Sequence, residues 1–208
     1  MPIHTFTDKE QLFLLLAQKA TVLTPNNRLS ETILQYYFAQ CKKQTVDKPA
    51  CMPFRVALSK AYEQLNFISP HNTHPTLLNN AQCQYLWRKI IQEESNITYS
   101  DGLLQAVISA WERCQQWQIN LHDSAFNHTA QTRQFQRWWQ LFDKQLKHHN
   151  FITEHALIPY LLQANSSFFS QNVVWVCFDD FTPQQVLLQQ CLAQKGFLQY
   201  QYDLKDKL

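Results

Sequence analysis

Val173–Asp203 reads VVWVCFDDFTPQQVLLQQCLAQKGFLQYQYD, and this stretch decides the fold. Val173, Val174, Trp175 and Val176 form an apolar run that ends in the acidic turn Asp179-Asp180. Thr182-Pro183 has the chemistry of a helix start, because proline at the first turn has no N–H to waste and a φ already set. Lys195-Gly196 has the chemistry of a helix stop, since glycine accepts the left-handed region without steric cost. Phe197–Tyr202 then reads as another strand. A continuous apolar strand, a helix and a second strand predict a parallel sheet covered on both faces. Ligands of such sheets bind beyond the C-terminal ends of the strands, where Phe178–Phe181 falls.

Outward from this stretch, Ser166–Asn172 reads as a linker. Thr76–Gln163 has helical spacing throughout. Leu78, Ala81, Tyr85, Leu86 and Ile90 mark one apolar face. Leu104, Val107, Ile108, Trp111 and Cys114 mark a second, and Phe135, Trp138, Trp139, Phe142 and Leu146 a third. Thr153–Leu162 makes a short fourth helix. Ser69–Pro75 is a loop by its Pro, Asn and Ser content, Pro53–Leu65 a helix, and Cys41–Cys51 a polar linker. Near the start, Asp8–Gln18 suits a helix with Thr7 as a candidate cap. Ala20–Thr24 is a strand, and Arg28–Gln40 a helix after Pro25-Asn26-Asn27. The expected organisation is α/β over 1–75, an all-helical insertion over 76–165, and a return to α/β over 166–208.

Composition narrows the function. With 208 residues, 45% hydrophobic and 13% aromatic, the chain is long enough for one packed domain with an inserted lobe. A formal charge of +2 is too small to argue nucleic acid by itself, so any basic surface must be local. Only Gly102 and Gly196 are glycine, which excludes a glycine-rich phosphate cradle. Six cysteines without a CxxC pair suit reduced, buried thiols in a cytoplasmic protein. No run approaches the roughly 18 apolar residues of a membrane span.

The catalytic constellations fail one by one. A nucleotide hydrolase needs a phosphate loop, a lysine on the phosphates and a hydroxyl on Mg²⁺. No GxxxxGK[ST] occurs, so Asp179 or Asp180 has no phosphate site to serve, and no cofactor is expected. Asp203-Leu204-Lys205 has the spacing of a nuclease pair but no companion acid nearby. His71 and His74, three apart, lack the further ligands of a zinc site. His148-His149 suits a helix end, where a cation favours the carbonyl dipoles. Two features could touch DNA. Arg28, beside Asn26 and Asn27, stands at a helix N-terminus, where free N–H groups suit a phosphate; the plain alternative is an Asn cap with Arg28 paired to Glu31 or solvent. Arg133, Arg137, Lys144 and His148 fall on one stripe of the third inserted helix, opposite its apolar face. Such a stripe can follow a phosphate backbone, although a solvated face is the commoner use and Asp143 interrupts the charge.

VLTPNNRLSETI near the start and VVWVCFDDFTPQQVLL near the end resemble the N-terminal region of AddB-type helicase/nuclease subunits, in particular the bacterial DNA repair proteins of that family. The middle segments PTLLNNAQCQYLWRKII, LLQAVISAWERCQQWQI and FQRWWQLFDKQL resemble the family's helical segments more weakly. The resemblance implies a RecA-like, P-loop-type parallel sheet with a large all-helical insertion. It also implies a fragment of a longer protein, because members continue into a second helicase half and a PD-(D/E)XK nuclease. Thr24–Leu29 matches the family's Thr-Pro-Asn-Arg-Arg-Leu pattern, with Asn27 for the first arginine. In related helicases that loop touches the single-stranded DNA backbone, which implies DNA contact at Thr24, Asn26, Asn27 and Arg28. Phe178, Asp179, Asp180, Thr182 and Pro183 match a strand-end motif in which Cys177 replaces the usual glycine and Val176 an occasional Asp. The implied role is a non-catalytic helicase-like domain that scaffolds a nuclease and guides a DNA strand or duplex end to it. Its partners would be DNA and either the C-terminal nuclease region or a partner helicase subunit, with no membrane. The alternative is a protein-interaction module whose inserted helices dock a partner subunit without touching DNA.

Overall fold

The computed structural model describes residues 3–41, 47–69, 74–94, 99–164, 169 and 172–203. The chain divides into two compact units, one of Met1–Ile68, Leu161–Phe181 and Gln185–Leu208, the other of Ser69–Tyr160 with Thr182–Gln184.

The first unit is an α/β layer structure. Its strands are β1 (His4–Phe6), β2 (Thr21–Thr24), β3 (Cys51–Pro53), β6 (Asn172–Val176) and β7 (Leu198–Tyr202). They form one sheet in the order β1-β7-β6-β2-β3, and every neighbouring pair is parallel. The strands expected near Ala20 and Val173 are adjacent, with Thr21 opposite Val173 and Leu23 opposite Trp175. Both are buried nearly end to end, because helices cover each face. On one face α1 (Lys9–Ala17) and α2 (Asn27–Gln40) pack Leu12, Leu16, Ile33 and Tyr37 against Val22, Val174 and Val176. The other face takes α3 (Phe54–Ile68), whose Phe54 lies 5.5 Å from the Trp175 ring. It also takes α8 (Pro183–Gln194), tied in by a buried polar chain. Trp175 Nε1 donates to Gln199 Oε1 at 3.2 Å, and Gln199 Nε2 donates to the Gln189 carbonyl at 2.7 Å. A glutamine in a buried strand is thus the acceptor that lets a tryptophan occupy the sheet centre.

Several expectations need correction. The α1 cap is Asp8, whose carboxylate accepts from the Glu10 N–H at 2.9 Å, and not Thr7. The polar linker Cys41–Cys51 runs into β3 at its last residue, and β1 was not foreseen at all. Strands of three residues are too short to show a period. The insertion is not wholly helical either: β4 (Thr76–Leu77) and β5 (Phe151–Ile152) pair in parallel.

The second unit is built on α4 (Asn80–Glu94), α5 (Asp101–Gln116) and α6 (Ala130–His148). The apolar faces read for α5 and α6 meet in one core, but the face read for α4 needs correction: Tyr85 is 65% exposed and Ala81 faces solvent, while Trp87 and Ile91 join Ile90 in that core. Trp87 stacks on Phe142 with centroids 4.2 Å apart, and Trp111 meets Phe142 edge-on at 5.3 Å. A 3-10 turn at Ser124–Asn127 precedes α6, and α7 (Leu157–Gln163) follows β5. No helix among the described residues is long and apolar enough to cross a membrane.

Candidate nucleic-acid interface

Because β2 and β6 are parallel neighbours, the segments that follow them leave the same edge of the sheet side by side. After β2, the buried Thr24 hydroxyl donates to the Asn26 carbonyl at 2.9 Å and closes the turn around Pro25. Asn26 is extended (φ −151°), and its side chain accepts from the Leu29 N–H at 3.0 Å, so it is the N-cap of α2. That hydrogen bond takes up one of the free donors of the first turn. Ser30 Oγ and Thr32 Oγ1 donate to the Asn27 and Arg28 carbonyls, both at 2.8 Å. The backbone of the turn is thereby held rigid, while the side chains of Asn26, Asn27 and Arg28 are exposed.

After β6, Cys177 turns the chain with φ 54°, and its N–H donates to the Tyr202 carbonyl at 3.0 Å. This left-handed conformation is the one glycine adopts most readily. The turn drops Phe178 into the sheet: it is 8% exposed, and its ring lies 5.5 Å from both Trp175 and Phe181. Phe54 closes the cluster from the end of β3, with 6.4 Å between its ring and Phe178. Asp179 and Asp180 are exposed, and α8 begins at Pro183 two residues after Phe181. Of the strand-end residues singled out by sequence, the two aspartates face water and Phe178 is structural. Phe54 was missed, since it opens a helix that was read as a separate element and the strand before it was read as linker. The conformation of Cys177 has no local signal in the sequence.

The β2 end of this edge presents the exposed Arg28 guanidinium, exposed amides and the start of a fourteen-residue helix. The exposed Asp179 and Asp180 carboxylates that follow β6 oppose an anion on their own side of the edge. On α6, the apolar side holds Trp138 and Phe142 in the core, and Trp139 lies half-buried against the His122 ring at 5.0 Å. Its basic stripe is partly spent within the unit. Arg133 Nη1 donates to the Asn127 carbonyl at 2.9 Å, Arg137 pairs with Glu94 at 2.8 Å, and Lys147 pairs with Asp143 at 2.6 Å. Lys144 and His148 are exposed, and His148 lies in the last turn of α6.

Other chemistry gains no support from the geometry. His155 Nε2 meets Glu112 Oε1 at 3.3 Å, and Cys83 belongs to the same neighbourhood. Burial first, and then the Glu112 and Glu154 carboxylates, push the Cys83 thiol up to about 11, away from thiolate reactivity. Among the described residues, no group of three or more His, Cys, Asp or Glu is placed to hold a metal ion. His71, Leu204 and Lys205 lie outside the described residues. No protein-family model matches the chain, and no curated protein matches it either.

Proposed function

We propose that this chain is a non-catalytic, RecA-like helicase domain of a DNA repair or recombination protein, which scaffolds a nuclease and guides DNA past the C-terminal edge of its sheet. One observation carries the reading: β2 and β6 are adjacent and parallel, so the Thr24–Arg28 turn and the Cys177–Phe181 turn share that edge. This is the position at which open parallel sheets bind ligands. Instead of a phosphate loop, the edge carries a proline turn whose backbone is stapled by Thr24 and Asn26. Such a turn can orient Arg28 toward a passing phosphate but does not supply the run of free N–H groups that cradles a triphosphate. The left-handed Cys177 supports the likeness to the family's glycine motif.

Arg28 is the principal DNA contact, with Asn26 and Asn27 placing it. The test is a fluorescence-anisotropy titration of single-stranded DNA at several salt concentrations. Log affinity falls linearly with log salt, and Arg28→Ala reduces the slope by about 0.7, one phosphate's worth of released counterions. Absence of binding at low salt would sink the reading. Retention of the chain by a nuclease or helicase subunit in that case would favour the interaction module.

A further inference from the structure

We propose that His155 and Glu112 form a pH-operated latch that holds the turn between β5 and α7 onto α5. The turn is a 3-10 helix (Glu154–Ala156), and its His155 Nε2 lies 3.3 Å from Glu112 Oε1. The imidazole is 9% exposed and the carboxylate 33% exposed. Salt screens such a pair far less than one in open water. Two further contacts fix the residue. Its ring meets that of Trp111 edge to face with centroids 5.5 Å apart, and Gln184 Nε2 donates to the His155 carbonyl at 3.1 Å. The ring's position is thus set by packing, and its proton decides how strongly Glu112 attracts it.

Histidine is the side chain whose ordinary titration falls near neutral pH. Around His155 stand Glu112 on α5, Glu154 on the turn itself and Cys83 on α4, whose thiol senses both carboxylates. Burial first, and then those two carboxylates, push that thiol up, so the local potential is negative. The same potential favours an imidazolium, whereas burial disfavours one. Attraction prevails, because Glu112 keeps much of its hydration and only the imidazole is desolvated. With its folded pKa above the unfolded value of about 6.5, His155 closes the latch fully below that value. The latch is released as pH rises through the folded value.

The test is NMR of the full chain between about pH 5 and 9, a range that brackets an imidazole. The His155 ring is followed by its Cε1–H shift. The turn, β5 and Leu157–Tyr160 are followed by amide hydrogen exchange, corrected for its intrinsic pH dependence. His155 titrates about 1 above the ordinary value of about 6.5. The followed amides open about tenfold more often above that transition than below it, the factor that a pKa difference of about 1 carries. Amides of β2 and β6 do not share the change. Glu112→Gln keeps the size of the side chain and a polar partner but removes the charge. It brings the His155 titration to about 6.5 or below and makes the opening independent of pH. The proposal is overturned if wild-type His155 titrates at or below about 6.5. It is equally overturned if the opening is the same at both ends of the range, or if Glu112→Gln leaves both readouts unchanged. The wild-type titration stands alone should the variant fail to fold, and DNA binding through Arg28 enters neither readout.

Discussion

Cys177 sits at φ 54°, where an L-residue with a Cβ meets the following carbonyl. Its conformation is imposed by the bond from its N–H to Tyr202 and by the burial of Phe178 that follows it. Replacing the thiol by Ala and by Gly separates strain from packing, because both variants lose the sulfur. The Gly variant is expected to be more stable than the Ala variant by about 1 kcal/mol in urea denaturation, the reverse of the order at ordinary positions. Cys51 makes a different statement. It lies under α2, its Sγ reaches the Ser30 carbonyl at 3.8 Å, and burial pushes its thiol up to about 12 from a model-peptide value of 9.0. The unfolded chain therefore releases this proton before the folded one does. Its contribution to stability is complete below pH 9.0 and is lost as pH rises toward about 12. The slope for this thiol is at most about 1.4 kcal/mol per pH unit. Cys51→Ala should flatten the fall in stability measured between about pH 9 and 11. Tyr37 and Tyr202 are raised too, chiefly by burial, so some slope persists in that variant.

Helix ends in this chain show what two glycines cost in local geometry. α8 stops at Gly196 (φ 83°), with Phe197 N–H donating to the Leu192 carbonyl at 3.0 Å and Gly196 N–H to Ala193 at 3.0 Å. α1 and α5 end in the same pair of bonds, yet their left-handed positions are filled by Lys19 (φ 63°) and Gln118 (φ 52°). The pattern is set by hydrogen bonding of the last carbonyls and the apolar residue beyond, and glycine only makes it cheaper. Lys19→Gly should therefore raise stability by about 0.5–1 kcal/mol, a rise of about 2 °C in Tm by calorimetry. α6 separates charge from packing. Arg137→Ala removes an ion pair whose arginine side chain is 64% exposed, and it should cost less than about 1 kcal/mol, and less still in high salt. Trp138→Ala on the opposite face should cost about 3–5 kcal/mol in the same assay.

Among the described residues, one core surrounds the five-stranded sheet and another surrounds the Trp87–Phe142 stack. Damage to one should be felt there first. Phe142→Ala is expected to accelerate amide hydrogen exchange across α4, α5 and α6 well before it does so in β2 and β6, since cooperative units open separately. Equal acceleration in both would show that the two cores unfold as one. Much of this architecture was legible in the residues. β2, β6, β7 and α8 were read correctly because long apolar runs and Pro/Gly punctuation are local signals. The apolar faces of α5 and α6 were read from spacings of three and four, which depend only on helix geometry; on α4 the same spacing picked Ala81 and Tyr85, which face solvent, and missed Trp87 and Ile91. β1, β3, β4 and β5 were not legible, because strands of two or three residues acquire their conformation from a neighbour's hydrogen bonds and carry no period of their own. The same holds at the edge of the sheet. Asn26 and Arg28 could be chosen from sequence, whereas their place beside Asp179 and Cys177 depends on β2 pairing with β6 across about 150 residues. Local chemistry specifies which helices and long strands form; pairing and packing between distant segments specify the sheet order, the left-handed turn at Cys177 and the meeting of His155 with Glu112, because none of these exists until both partners are present.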